Sequence, residues 1–95
     1  MRVIHKQTLQ GFRPSIPNDA RILSVQMQGN GMCVWYTVDP EAPALPVKRL
    51  LVVETGVEVP AEDQYTFVAT VQDGPFVLHV FERLDAARAA TTEEG

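Results

Sequence analysis

Turn-forming residues cut this sequence into six short segments with strand chemistry, and that spacing leaves room for little other than an all-β fold. The clearest signal is Asp73–Gly74, which separates Gln64–Gln72 from Pro75–Arg83 and reads as the turn of a β-hairpin. Pro75 is then expected to begin the returning strand, where its missing N–H costs little. A second hairpin is expected around Gly29–Asn30–Gly31. Before it, Ala20–Gln28 alternates, with Leu23, Val25 and Met27 on one face and Ser24, Gln26 and Gln28 on the other. After it, Met32–Asp39 returns. Arg2–Leu9 and Val47–Thr55 are the remaining strand segments. Gln10–Asp19, with Gly11, Pro14 and Pro17, reads as a loop, and Pro40, Pro43 and Pro46 make residues 39–46 an irregular crossing. The expected architecture is a six-stranded antiparallel sandwich or partly open barrel over residues 1–83. A short helical or disordered acidic tail is expected over residues 84–95.

Charge and motif content narrow the chemistry. Eight basic against twelve acidic residues give a net charge of −4 without any basic run, which argues against nonspecific nucleic-acid binding. The single cysteine, Cys33, excludes an intrachain disulfide and a thiolate metal cluster. No apolar run approaches the roughly 18 residues of a membrane span. The first residues lack the apolar stretch of a signal peptide, so a soluble cytoplasmic protein is expected. His5 and His79 have no third donor at close spacing, and no metal site is expected. No cation adjoins Cys33 in sequence to activate its thiol. P-loop, Rossmann, hydrolase-elbow and zincin patterns are all missing, so the chain is read as a non-enzyme without a cofactor.

Recognition is what remains. Pro75–Arg83, Met32–Asp39 and Val47–Val53 carry apolar residues on both faces, more than a domain this small is expected to cover with its own loops. A second apolar face points to a homo-oligomer. The candidate ligand-binding residues are Trp35, Arg49, Tyr65 and His79. In a cleft between subunits, the Arg49 guanidinium would hold the phosphate of a small anionic nucleotide while Trp35 or Tyr65 stacks on its base. On that reading Arg49→Ala weakens the ligand and leaves the thermal midpoint nearly unchanged. Aromatics exposed on a flat surface would instead favour a protein partner.

Five stretches carry a family resemblance: Arg2-Val3-Ile4-His5-Lys6, Ala20 to Gln26, Val34-Trp35 followed by Val38-Asp39-Pro40, Thr55-Gly56, and Gly74 to Glu82. In this order they resemble a family of small phage and bacterial proteins known only as a domain of unknown function. The resemblance implies no enzymatic activity, cofactor or transferable site. It implies a phage or prophage accessory protein, and on the recognition reading above such a protein is expected to act in the host bacterial cytoplasm by sequestering a small nucleotide signal of host defence or by blocking a host protein. A structural or assembly component of a phage particle is the alternative.

Overall fold

The computed structural model of the chain describes residues 1–29 and 31–85. The expected tail, beyond Asp85, lies outside the described residues. The fold is all-β, with eight strands among those residues: β1 (Val3–Thr8), β2 (Ser15–Pro17), β3 (Arg21–Gln28), β4 (Gly31–Val38), β5 (Pro46–Lys48), β6 (Leu50–Glu54), β7 (Tyr65–Asp73) and β8 (Phe76–Arg83). They form three antiparallel sheets ordered β1-β4-β3, β2-β5 and β6-β8-β7, with no closed barrel.

Two strands were not expected, and both have a tertiary cause. Ser15–Pro17 lies within the stretch read as a loop, yet Ile16 is only 1% exposed and inserts into the core. Its pairing with β5 sets Pro17 opposite Pro46 at the ends of the two strands, where a missing donor is tolerated. The run from Val47 to Thr55 is not one strand but two, because the chain breaks its ladder at Arg49 and turns that side chain inward.

Both hairpins are present. The Asp73–Gly74 turn is shifted by one residue from expectation. Asp73 pairs with Phe76, so Gly74 and Pro75 are the central residues and Pro75 belongs to the turn rather than to the strand. Gly74 has φ 58°, the conformation that the first position of a II′-type turn demands of its residue.

One core takes side chains from all three sheets, among them Ile16, Val25, Val34, Tyr36, Leu50, Val52, Val71 and Val80. β3 packs beside β7, so the two larger sheets meet at these strands. The far edge of β6 is capped by an irregular segment: Val52 N–H donates to Phe12 O (2.8 Å) and Leu50 N–H to Pro14 O (3.4 Å). Bulges between Ile22 and Ser24 and between Phe67 and Ala69 lie on β3 and β7.

Tyr36, 5% exposed, donates its phenolic hydrogen to Gln7 Oε1 at 2.9 Å. Burial, helped by the Asp19 carboxylate, raises its pKa above 10.0. The folded state therefore holds this proton more tightly than the unfolded one. The resulting stability is fully present below the unfolded value and is lost as pH rises through the folded value. Alkaline unfolding in the wild type should steepen above about pH 10, and Tyr36→Phe should flatten that limb in circular dichroism titrations.

Candidate functional site

Arg49, expected to face a ligand, is instead 1% exposed. Its Nη1 donates to Pro17 O (2.8 Å) and Asn18 O (3.4 Å), and its Nη2 donates to the buried carboxylate of Glu82. One guanidinium thus ties the end of β2 to β8, and the amide that follows on β8, Arg83 N–H, donates back to Arg49 O (3.0 Å). A guanidinium so committed is an internal brace. The strand break at Arg49 directs it inward, which the sequence pattern did not show.

The other three candidates lie on faces turned away from the common core. Strand alternation and register put Tyr65, Phe67, Thr70 and Gln72 of β7 on the outer face of their sheet, beside Arg83, Phe81, His79 and Val77 of β8. His79 is held between two hydroxyls, Thr55 Oγ1 on Nε2 (2.7 Å) and Thr70 Oγ1 on Nδ1 (2.9 Å), which occupies both ring nitrogens. Tyr65 lies across from Arg83 and borders a shallow depression of about 510 Å³ with Asp63, Gln64 and Asp85. Arg83 donates to Asp85 at 2.7 Å and to Lys48 O at 3.2 Å, and the hydrogen bond and charge of Asp85 raise the guanidinium pKa further. Two carboxylates on that rim oppose an anionic ligand. Trp35 sits on the outer face of the other large sheet, between Lys6 and Ser24. The four residues therefore do not converge: one is in the core and the rest are divided between two outer faces.

The second apolar faces meet different fates. Leu51 and Val53 of β6 point outward from the core but are only 4% and 5% exposed. The loop after β6 turns at Gly56, φ 91°, and Val57 and Pro60 border a groove of about 310 Å³ with Phe12, Leu51 and Val53. The chain thus covers this flank itself, contrary to expectation. The β7 flank stays open: Phe67 is 58% exposed and Val77 36%, and Phe67 meets Phe81 edge to face at 5.8 Å. This open aromatic surface was legible in the two-sided apolar pattern of Pro75–Arg83. Phe67 itself was missed, because a bulge beside it alters the alternation.

Among the described residues, no cluster of three or more His, Cys, Asp or Glu side chains is placed to hold a metal ion, and no helix is long and apolar enough to cross a membrane. A family model described as a domain of unknown function, DUF7352, matches residues 1–91. No curated protein and no solved structure shows a significant match.

Proposed function

We propose, for a chain that belongs to the domain-of-unknown-function family DUF7352, a non-enzymatic role: it acts by occupying the surface of another protein. The observation that carries this reading is the open aromatic pair Phe67 and Phe81 on the outer face of the β6-β8-β7 sheet, with Val77 further along β8 beyond His79. A shallow, apolar, aromatic face suits a protein surface, where rings supply buried area at little entropic cost. A small nucleotide needs a concave site with converging cations, and the arginine expected to provide one is spent on Glu82. The biological setting in this proposal is that of a phage-type accessory protein that blocks a host protein in the bacterial cytoplasm. A self-associating copy and a component of the phage particle are the competing occupants.

Photo-crosslinking through a probe placed beside Phe67, in bacterial lysate, tests the reading. The expected result is one dominant adduct with a host protein, lost in Phe67→Ser while the thermal midpoint stays within a few degrees. An adduct consisting only of the chain's own dimer, or stoichiometric recovery in purified phage particles, would replace the host-protein reading by those alternatives. Calorimetry against linear and cyclic nucleotides should find none binding tighter than about 10 µM, roughly −7 kcal/mol. A tighter one would restore nucleotide sequestration and overturn the protein-occupancy role.

A further inference from the structure

The outer face of the β1-β4-β3 sheet holds chemistry that the proposed role does not use. Charge is unevenly divided along the chain. Residues 1–38 contain four basic side chains and one acidic, whereas residues 39–95 contain four basic and eleven acidic. The three strands of this sheet all fall in the first part, and none of them contains an acidic residue. Register aligns Lys6, Trp35 and Ser24 in one outward row across the sheet, with Thr37 and Arg21 paired in the next. Trp35 is partly exposed on the central strand, where a ring is held rigidly by neighbours on both sides. The Lys6 ammonium, in register with Trp35, reaches across β4 to Gln28 Oε1 at 2.6 Å, and Gln28 lies opposite Gly31, further along the central strand. The nearest carboxylates gather around Arg21, at the end of the face away from Gln28. Asp19, 5% exposed, pairs with Arg2 and accepts the Asp39 N–H, and Asp19 and Asp39 share a depression with Arg2 and Arg21.

We infer that this face is a stacking platform for single-stranded nucleic acid, with Trp35 stacking on a base and Lys6 meeting a flanking phosphate. A partly exposed ring on a sheet accepts any base through its π-face, and a cation beside it meets the backbone of the strand. A duplex keeps its bases stacked on one another and cannot offer one to Trp35. The net charge of −4 describes the molecule as a whole. At physiological salt, with a screening length of about 8 Å, a strand beside Trp35 responds mainly to Lys6, whose own and neighbouring strands carry no carboxylate.

Fluorescence anisotropy with a labelled oligothymidylate of roughly ten nucleotides, in about 50 mM salt, tests the inference. Saturable binding is expected, accompanied by quenching of the emission of Trp35, the only tryptophan in the chain. Trp35→Leu should weaken binding about tenfold, within the range that loss of one stacked base produces. Lys6→Gln should reduce the slope of log affinity against log salt by about 0.7, the value for one phosphate contact on a single strand. Lys6→Glu, at an exposed position that folding does not depend on, should abolish binding, which keeps the test decisive if Trp35→Leu folds poorly. Absence of saturation at 100 µM protein, equal affinity for a duplex of the same sequence, or displacement by polyglutamate as readily as by oligothymidylate would each overturn the inference.

Discussion

Glu82→Ala is expected to destabilise the fold by about 3–5 kcal/mol, because it strands the buried Arg49 guanidinium without its counter-charge. That is a large share of the roughly 5–15 kcal/mol that holds a domain together. Arg49 is 1% exposed and Glu82 6%, so water cannot take the place of the missing partner. Arg49→Ala should be comparably severe, since it leaves the carboxylate alone and also frees Pro17 O and Asn18 O. This reverses the expectation that Arg49→Ala leaves the thermal midpoint nearly unchanged. The paired replacement Arg49→Met with Glu82→Leu should recover part of the loss, as an apolar pair of similar volume leaves no buried charge unpaired, while Pro17 O and Asn18 O still lose their donor. Urea denaturation of the two single variants and the double variant decides it. Single variants within 1 kcal/mol of wild type would show that the pair is not the brace described.

Ile16→Ala is the second large effect, expected at about 2–5 kcal/mol from lost burial and the cavity left behind. Ile16 is 1% exposed and carries the small β2-β5 ribbon into the core shared with the larger sheets. Its loss should loosen that ribbon as well as lower the midpoint, by roughly 4–8 °C per kcal/mol in a domain of this length. Ile4→Ala, at a position 63% exposed, is the matched control and should change stability by no more than about 0.5 kcal/mol. Thermal melts of both, with hydrogen exchange at the Ser15, Val47 and Lys48 amides, separate a local loosening from a global loss. Equal midpoints for the two variants would contradict the burial assigned to Ile16.

The candidate site was only partly legible. Trp35, Tyr65 and His79 lie on outward faces, as strand alternation allows, but on two different sheets. No local pattern states which sheet a strand will join. The charge division that marks the β1-β4-β3 face was present in the sequence and was hidden by summing the chain to −4. Phe67 escaped because the bulge between it and Ala69 changes which residues share a face.

What the sequence by itself determined is local. The strand character of most of the chain and the two hairpins follow from alternation and from glycines that accept positive φ, interactions that span a few residues. Tertiary structure decided the rest. It split Val47–Thr55 at Arg49, made a strand of Ser15–Pro17, and closed the loop after Gly56 over Leu51 and Val53. Each of these outcomes depends on a partner more than thirty residues away in sequence or on another sheet: Glu82 for Arg49, Val47 for Ile16, Phe12 for the β6 flank. A buried cation survives only beside its counter-charge, and an apolar face stays covered only where chain packs on it. Those conditions are set by the assembled fold, and they moved Arg49 from a presumed ligand site to the centre of the core.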